Sequence, residues 1–541
     1  MTDEQTALTD LADGAADPAS ASVPPTTRHP WRQGEVVELS IDDLSSSGDG
    51  VGRYAERAVF VPDAVVGDRL LVRLVHTKPQ YAHGKLVEIL APSPHRIRPR
   101  CIVADKCGGC QWQHVDYAFQ LETKRNLIVQ SLERLGGFSD VQVAPVLGSE
   151  AADERRQARR VFEATAAAQA LEVGEAEDAI APSILASSIS APSIIAPPII
   201  PLRPASIAPD ADLNYRNKAT YPLTRSSSGQ VQAGYYQKGS HHLINLNQCP
   251  IQDQRLNPLL ADVKQDLLER GWSIYDEKLH RGKLRHLGLR IGRRTGEMLL
   301  TLVSKESNLA GLEAQAIDWI SRYPDLVGVA LNLNSDRTNA IFGSDTLCIA
   351  GRPYLREIFA GLEFHIQPTT FFQVNTEQAE ALLQVMIDQL DLQGHEVLVD
   401  AYCGIGTLTL PLAARVRQAI GIEMQPESIQ QADANAALNH ITNATFQSGT
   451  VEDLLPQLPT PPDIVLLDPP RKGCDASVLQ TLLTLKPAQI AYLSCNPATL
   501  ARDLKHLCTD GAYRLTRVQP ADFFPQTPHV ECVAFLERAA L

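Results

Sequence analysis

The sequence predicts an α/β fold, with a doubly wound sheet at the C-terminus that follows a small β-barrel and a mixed α+β domain. From about residue 371, short apolar strands alternate with helical segments, the pattern of a doubly wound sheet. Residues 34–93 contain five short strands separated by turns, which suits an OB-like barrel. The 541 residues are too many for one hydrophobic core, so about three domains are expected.

Composition divides the rest of the chain. Residues 1–33 are acidic and contain Pro, which predicts a disordered tail. Residues 94–145 and 212–370 mix strands with one or two helices and form the predicted central domain. Residues 146–211 repeat Ala-Pro-Ser-Ile, and Pro at that density prevents a helix or a central strand, so this stretch is predicted to be a low-complexity insertion. Residues 371–541 form the predicted α/β domain.

The charge of the chain is uneven. The net charge is −14, and the first 27 residues carry five acidic residues and no Lys or Arg. Five basic residues cluster between positions 78 and 100, namely Lys78, Lys85, Arg96, Arg98 and Arg100. Such a cluster binds phosphates whatever the total charge, although a solvated surface explains it equally well.

Localisation follows from what the sequence lacks. The N-terminus has no apolar signal segment, and no apolar run reaches the length of a membrane span. The ten Cys are scattered over a large chain, which in a reducing compartment favours metal binding or catalysis over disulfides. We therefore expect a cytoplasmic protein without a membrane partner, and we expect it to be a monomer.

Four cysteines form a candidate metal site. The segment CIVADKCGGCQWQH contains Cys101, Cys107 and Cys110, and its glycine pair permits the tight turn that lets thiolates face one centre. Cys249, in a polar loop, is the predicted fourth ligand, with Cys348 as an alternative. Four thiolates suit zinc or a [4Fe–4S] cluster. One C-x2-C pair with two single cysteines favours the cluster, since zinc sites more often use two pairs; four unrelated thiols are the remaining interpretation.

A glycine turn marks a cofactor pocket. The segment VLVDAYCGIGTLTL is a buried strand ending at Asp400, followed by Gly404 and Gly406 before a helix. The next strand ends at Glu423, at the spacing of an acid that binds a ribose diol. Because a third glycine and a Walker lysine are missing, NAD and ATP are disfavoured and S-adenosylmethionine (SAM) fits better.

Two further segments supply a candidate nucleophile and a candidate base. In LSCNPATLARDL, Cys495 follows an apolar run, and in TPHVECVAFL, His529 and Glu531 begin a late strand. A lone Cys is more often a small buried hydrophobe. Beside a nucleotide-type pocket, however, a thiol and a carboxylate are the groups needed to methylate carbon 5 of a pyrimidine. Glu531 is the predicted base, with His529 as the second candidate.

These segments, together with FFQVN at residues 371–375 and LLDPPRKG, resemble the SAM-dependent RNA uracil-C5 methyltransferase family. Within that family the chain is most similar to the bacterial 23S ribosomal RNA branch. The resemblance covers about residues 34–145 and 212–541. It implies an N-terminal TRAM domain, a central domain that carries a [4Fe–4S] cluster and a Rossmann-like class I SAM methyltransferase domain.

The resemblance also implies roles for individual residues. Cys495 matches the nucleophile and Glu531 the base, and the four cysteines match the cluster ligands. Six positions match the SAM pocket, namely Gln373, Tyr402, Thr407, Glu423, Thr450 and Asp468. Relatives often carry Asn where Thr407 stands, and Thr450 aligns only loosely. The acidic tail and the insertion depart from the family pattern.

The expected reaction is therefore methyl transfer from SAM to carbon 5 of a uridine in RNA, with 23S ribosomal RNA as the expected partner. Methylation of transfer RNA by the same chemistry is one alternative, and cytosine methylation is a weaker one. A non-catalytic RNA-binding assembly factor is another, but a binding protein needs neither Cys495 nor Glu531. Arg471 is a candidate phosphate ligand.

Overall fold

The computed structural model describes residues 31–148 and 212–539, beginning with a closed five-stranded barrel in the order β1-β2-β3-β5-β4. Its strands are Val36–Leu44, Gly50–Tyr54, Arg57–Val61, Arg69–Thr77 and Tyr81–Ala91, numbered β1 to β5. Alternate side chains of β1 point inwards, so Val37, Leu39 and Ile41 are buried in the barrel core. The predicted five-stranded barrel is confirmed.

The barrel begins slightly earlier than the sequence predicts. Trp31 packs against the barrel core, and the guanidinium of Arg57 lies 4.9 Å from the centre of its indole ring. The last residues of the predicted tail are therefore part of the packed structure. The rest of that tail lies outside the described residues.

The central domain is a seven-stranded sheet in the order β12-β11-β10-β9-β6-β7-β8. Its strands are β6 (Lys218–Arg225), β7 (Val231–Tyr236), β8 (Leu243–Asn245), β9 (Leu284–Ile291), β10 (Met298–Ser304), β11 (Leu326–Leu333) and β12 (Asp345–Gly351). Helices α2 (Leu256–Glu269) and α3 (Leu312–Arg322) contribute side chains to the apolar core on one face. Along β6 every second residue is buried against that core, so the alternate residues face the other side.

A short hairpin and a second seven-stranded sheet complete the fold. The hairpin is β13 (Leu355–Phe359) and β14 (Leu362–Ile366), and the sheet strands are β15 (Val397–Asp400), β16 (Gln418–Glu423), β17 (Ala444–Ser448), β18 (Ile464–Leu467), β19 (Gln489–Ser494), β20 (Tyr513–Ala521) and β21 (Glu531–Arg538). The order is β17-β16-β15-β18-β19-β21-β20, with β21 antiparallel to β19. The predicted doubly wound sheet is confirmed.

Seven further helices belong to this sheet or pack against it. They are α1 (Tyr117–Ser131), α4 (Thr376–Leu390), α5 (Thr409–Ala413), α6 (Pro426–Leu438), α7 (Val451–Leu454), α8 (Ala476–Leu485) and α9 (Pro497–Leu507). Apolar side chains fill both faces of the sheet, which explains why its inner strands are continuous apolar runs. In the part of the chain that the structure describes, no helix has the length and apolarity to cross a membrane.

The predicted central range 94–145 is divided between two sheets. Its first part carries the cysteine triplet, and Cys107 bridges to Gln237 just after β7 of the central sheet. Its second part, α1 and the residues after it, packs on the C-terminal sheet, where Val143 and Leu147 form bridges to β20. Leu147 is buried there, so the first residues of the predicted insertion are packed. The remainder of that insertion lies outside the described residues.

Candidate active site

The strand ends of the C-terminal sheet converge on one edge. In a parallel sheet the carboxyl ends of neighbouring strands lie side by side, and here they bring Asp400, Glu423 and Asp468 to that edge. Cys495 follows β19 directly. Since β21 runs antiparallel to β19, its first residue, Glu531, also starts at this edge.

The strand register places the predicted nucleophile opposite the predicted base. Ser494 pairs with Cys532 across β19 and β21, so the next residues towards the edge are Cys495 and Glu531. Residues directly opposite on antiparallel strands have Cβ atoms about 5 Å apart. The charge of Glu531 acts on the Cys495 thiol, which shows that the two groups face each other in space. The structure therefore brings together two side chains that are 36 positions apart in the sequence.

Burial sets the protonation of this pair. It raises the pKa of the Cys495 thiol, and the nearby charges of Glu531 and Asp468 raise that pKa further, whereas Arg471 lowers it. Burial also raises the pKa of Glu531 to about 8, with the same opposing effects of Asp468 and Arg471. An acid whose pKa lies near neutrality is well matched to accept a proton. Burial lowers the pKa of His529, the second candidate base, with Arg471 and Lys124 acting in the same direction.

The loops that carry these groups are joined to one another. The side chain of Asn496 caps α9 by accepting a hydrogen bond from the Ala498 amide, 3.1 Å away, and its Nδ2 donates to the carbonyl of Arg471 at 3.2 Å. Thr499 Oγ1 donates to the same carbonyl at 3.2 Å. The exposed guanidinium of Arg471 is therefore carried by a backbone fixed beside Cys495.

A cavity lies at the carboxyl end of β15, and its wall includes Asp468, whose charge acts on the Cys495 thiol. It encloses about 560 Å³ of empty space, including its opening to solvent. Four of the predicted cofactor residues line it: Gln373, Tyr402, Thr407 and Asp468. Aromatic residues complete the wall, namely Phe371 of the FFQVN segment and two that the sequence did not single out, Phe359 and Phe523. A lining of aromatic side chains with a few polar groups is typical of small-molecule cofactor sites.

The glycine turn fits a cofactor that approaches the backbone. Both Gly404 and Gly406 have positive φ, at 54° and 82°. A Cβ on Gly404 would meet no atom within 4 Å, whereas one on Gly406 would lie 3.0 Å from Leu410 Cγ. Gly406 therefore maintains the packing of the turn, and Gly404 leaves space beside the cavity for a ligand.

Asp400 is a polar residue of this cavity that the sequence identified only as a strand end. Its Oδ2 accepts a hydrogen bond of 2.6 Å from Thr409 Oγ1, while its buried Oδ1 has no partner among the described residues. Burial raises its pKa to about 6, and the charge of Glu423 adds to the rise. A buried acceptor without a partner fits a ligand that donates a hydrogen bond, such as the amino group of SAM.

The other two predicted cofactor residues, Glu423 and Thr450, lie outside the cavity wall. Glu423 does not line the cavity, but its Oε2 accepts a hydrogen bond from the Gly404 amide at 3.3 Å and so supports the turn. Thr450 caps α7, accepting from the Asp453 amide at 3.2 Å, and also lies outside the cavity wall. A hydroxyl residue before a short helix is the usual signature of an N-cap, and this signal was available in the sequence.

The loop between β20 and β21, residues 522–530, is held at both ends of its turn. Lys124 Nζ of α1 donates to Asp522 Oδ1 at 2.6 Å and to the Phe524 carbonyl at 3.1 Å. The Gln120 and Gln526 side chains are linked at 3.1 Å, and the Gln526 amide donates to Gln120 Oε1 at 3.0 Å. This loop leads into Glu531, so these contacts position the predicted base.

The same loop contacts the cysteine segment. The amides of Gln111 and Trp112 donate to the Gln526 carbonyl at 3.1 and 3.0 Å. These two residues follow Cys110 directly in the chain. The candidate metal site and the candidate base therefore lie on segments that are hydrogen-bonded to each other.

The four predicted ligand cysteines gather beside β7. Burial raises the pKa of Cys110 to about 11 and that of Cys249 to about 12, and the other thiols of the quartet raise both further. Two sulfur atoms accept hydrogen bonds: Cys107 from the Gly109 amide at 3.4 Å and Cys110 from Gln113 Nε2 at 3.5 Å. Cys348, the alternative ligand, is exposed on β12 and bonds to nearby backbone carbonyls.

The four cysteines are not arranged around a single metal ion, but their chemistry suits an iron–sulfur cluster. Across residues 31–148 and 212–539, no group of three or more His, Cys, Asp or Glu side chains is arranged to hold a single metal ion. The donor chemistry does fit an iron–sulfur cluster, because four neighbouring thiols with N–H···S hydrogen bonds are the kind of set that holds one.

Comparisons with known proteins agree with this geometry. A family model described as tRNA (Uracil-5-)-methyltransferase matches residues 344–457 and 462–539, and a TRAM domain model matches residues 30–87. The chain is 61% identical over 510 residues to an uncharacterized RNA methyltransferase of Nostoc, covering 94% of this chain and 98% of that one. It is 34% identical over 511 residues to one of Bacillus cereus, covering 94% and 98%.

A solved structure shares both fold and length. The Pyrococcus abyssi tRNA (uracil-54, C5)-methyltransferase in complex with S-adenosyl-L-homocysteine superimposes with a TM-score of 0.66 at 25% identity, covering 92% of this chain and 99% of that one. From the match to the family model, the full-length relatives and the facing thiol and carboxylate, the chain belongs to the RNA (uracil-5-)-methyltransferase family and is a SAM-dependent RNA methyltransferase with an N-terminal TRAM domain.

Proposed function

We propose that this enzyme methylates carbon 5 of a uridine in 23S ribosomal RNA, with Cys495 as the nucleophile and Glu531 as the base. The observation that carries the proposal is the register of β19 and β21, which sets these two side chains opposite each other beside the cofactor cavity. The 23S substrate is supported by the resemblance of the sequence to that branch of the family.

The roles follow from the chemistry of uracil. Carbon 5 is a poor nucleophile, and it is activated when the Cys495 thiolate adds to carbon 6 and turns the ring into an enolate. SAM, when bound, supplies the methyl group. Glu531 then accepts the carbon 5 proton, and the electrons of that C–H bond re-form the ring double bond as the bond between carbon 6 and Cys495 Sγ breaks. Arg471 favours both the thiolate and the carboxylate, because it lowers both pKa values.

Asp468 links the two halves of the site. It lines the cofactor cavity, and its charge also raises the pKa of Glu531. Burial raises its own pKa to about 7, with a contribution from Asp400. A carboxyl group that is partly protonated near neutrality donates as well as accepts hydrogen bonds. We assign it to the polar edge of the uracil, which must leave its stack to reach this edge of the sheet.

Two substitutions test the chemistry. Cys495→Ala should abolish turnover and leave SAM binding intact, while Cys508→Ala, at the end of α9, serves as the matched control with a half-buried thiol outside the site. Glu531→Gln should let a covalent protein–RNA adduct accumulate that survives denaturing electrophoresis, because the base acts after methyl transfer. Normal turnover in either active-site variant would remove that residue from its role.

Transfer RNA is the second candidate substrate. It is favoured by the similarity to the archaeal enzyme, whose name specifies uridine 54 of transfer RNA. Methylation of purified 23S ribosomal RNA and purified transfer RNA with labelled SAM, side by side, separates the two. Label in transfer RNA alone would overturn the ribosomal substrate and leave the chemistry standing.

For the cysteine quartet we propose a [4Fe–4S] cluster held by Cys101, Cys107, Cys110 and Cys249. The support is the donor set and its hydrogen bonds, and no catalytic step is routed through the cluster. Protein purified without oxygen should be brown and hold about four irons per chain. Colourless protein with one zinc per chain would show that the site binds zinc and not a cluster. Unchanged metal content in Cys249→Ser would show that Cys249 is not the fourth ligand.

A further inference from the structure

We propose that Arg290 and Lys218, on the face of the central sheet opposite its helices, form a seat for a phosphate of the bound RNA. The inference rests on the proposed action on RNA, and it adds a binding site away from Cys495. Four observations carry it: the face on which the two side chains lie, the lack of partners, the lack of nearby acids, and the closeness to the cofactor cavity.

The register puts both side chains on one face. Lys218 pairs with Arg290 across β6 and β9, and residues directly opposite in an antiparallel pair share a face. The neighbouring Ala219 and Leu289 point the other way, into the core formed with α2 and α3. On the Arg290 side, Leu299 of β10 lies directly opposite and belongs to the apolar cluster of the methyltransferase domain. This face of the sheet therefore fronts the catalytic domain.

Arg290 is a buried guanidinium that is largely without partners. It is 5% exposed, and its Nη2 donates to the Thr370 carbonyl at 2.6 Å. Its Nε and Nη1 are buried and find no acceptor within the described residues. Along the same face, Nδ1 of His286 is also buried without a partner. Buried donors are nearly always hydrogen-bonded in native proteins, so the two open donors of Arg290 indicate a ligand that accepts hydrogen bonds.

The missing ligand is an anion. Among the described residues no carboxylate pairs with Arg290 or Lys218, and the ammonium of Lys218 lies 5.3 Å from the centre of the Phe342 ring. Burial lowers the pKa of Lys218 to about 7, and the neighbouring cations Arg290 and Arg216 lower it further. Burial also lowers the pKa of Arg290 to about 10. Two cations forced together without a carboxylate suit a phosphate, which accepts several charge-assisted hydrogen bonds at once.

The seat lies beside the active site, where the RNA substrate must bind. We therefore infer that the phosphate belongs to the RNA. Thr370, which anchors Arg290, precedes Phe371 and Gln373 of the cavity wall. From the other strand, Asn217 Nδ2, beside Lys218, donates to the Gln373 carbonyl at 2.8 Å. Neither Arg290 nor Lys218 lines the cofactor cavity itself. A phosphate held here would fix the backbone of an RNA whose target base reaches Cys495, since phosphate contacts set position rather than sequence.

Binding of purified 23S ribosomal RNA and purified transfer RNA to the full-length chain, with S-adenosylhomocysteine present, tests the seat. Arg290→Met should weaken the binding of the RNA that the wild type prefers by roughly tenfold or more, and should lower the slope of log affinity against log salt by about one. Arg322→Met is the matched control: it removes the same charge from α3, beside the opposite face, where Arg322 pairs with acidic residues. It should leave RNA affinity unchanged.

Unchanged RNA affinity and salt slope in Arg290→Met would overturn the seat. So would weaker binding of S-adenosylhomocysteine with normal RNA binding, since the anion would then be the cofactor carboxylate. If Arg290→Met does not fold, Lys218→Met carries the same expectation. Methylation of the same RNAs by the wild type is measured separately, so that failure of the proposed reaction is distinguished from failure of the seat.

Discussion

Two buried cations in this molecule, Lys124 and Arg290, differ in whether the chain supplies a counter-ion. Lys124 is fully buried and meets the fully buried Asp522 at 2.6 Å. Arg290 is also buried, but it meets a backbone carbonyl, and the cation opposite it is Lys218. A buried charge that has its counter-ion within the chain is part of the architecture, whereas one that lacks it is available to a ligand.

The surroundings of the two cations match this difference. Lys124 joins α1 to the loop that ends at Glu531, a contact between residues 398 positions apart. Its burial lowers its pKa while Asp522 raises it, and for Asp522 burial raises the pKa while Lys124 lowers it. Burial also lowers the pKa of Arg290, but there no nearby acid in the described part of the chain raises it again. The first site therefore holds the loop that leads to Glu531, and the second has unsatisfied donors.

The largest effect is expected at the paired site. Lys124→Met leaves the carboxylate of Asp522 buried without its cation, which should lower the free energy of unfolding by about 3–5 kcal/mol in urea denaturation. The double variant Lys124→Met, Asp522→Leu removes both charges and should recover most of that loss. A single-variant loss below about 1 kcal/mol would show that the pair does not hold the loop.

The contrasting substitution is Arg290→Met. Since it removes two unsatisfied donors, it should leave the free energy of unfolding unchanged or raise it by about 1–3 kcal/mol, while RNA affinity falls. Urea denaturation in parallel with Lys124→Met makes the comparison direct. A loss as large as that of Lys124→Met would mean that Arg290 stabilises the fold and would end the distinction between the two sites.

A half-buried acid, Glu531, extends the comparison to anions. Glu531 has a pKa of about 8 in the folded chain, above the ordinary value of 4.5, so the folded state holds its proton more tightly than the unfolded state does. The stability that this proton contributes is complete below about pH 4.5 and falls as pH rises through about 8. Glu531→Gln should flatten this part of the stability–pH profile, measured by thermal unfolding at several pH values. An unchanged slope would show that another group carries it.

The smallest effect concerns the insertion. Residues 170–210 lead to Asp212, whose Oδ2 accepts a hydrogen bond of 2.8 Å from Gln526 Nε2 in the loop that Lys124 holds. Replacing residues 170–210 by a short linker should change the free energy of unfolding by about 1 kcal/mol or less and leave methylation intact, because loop length has a weak effect on stability. A loss of unfolding free energy as large as that of Lys124→Met would show that the insertion helps to hold the loop at residues 522–530.

Much of the active site was predictable because it lies at strand ends. Apolar runs that stop at Asp400, Glu423 and Asp468 define buried parallel strands, and parallel strands place their carboxyl ends on one edge. Cys495 follows the same rule after β19. Thr450 caps α7 by accepting a hydrogen bond from the Asp453 amide, and its loosely aligned contact with the cofactor stays a prediction.

The sequence by itself determined the α/β class, the five-stranded barrel, the glycine turn and the candidate nucleophile, since each depends on local periodicity or on a short motif. Only the tertiary structure decided which side chains lie opposite each other. The antiparallel register of β21 sets Glu531 opposite Cys495, and the packing of α1 brings Lys124 to Asp522. Whether a cation such as Arg290 finds a counter-ion depends on segments remote in the chain, because burial and pairing are properties of the folded surface and not of any one stretch of sequence.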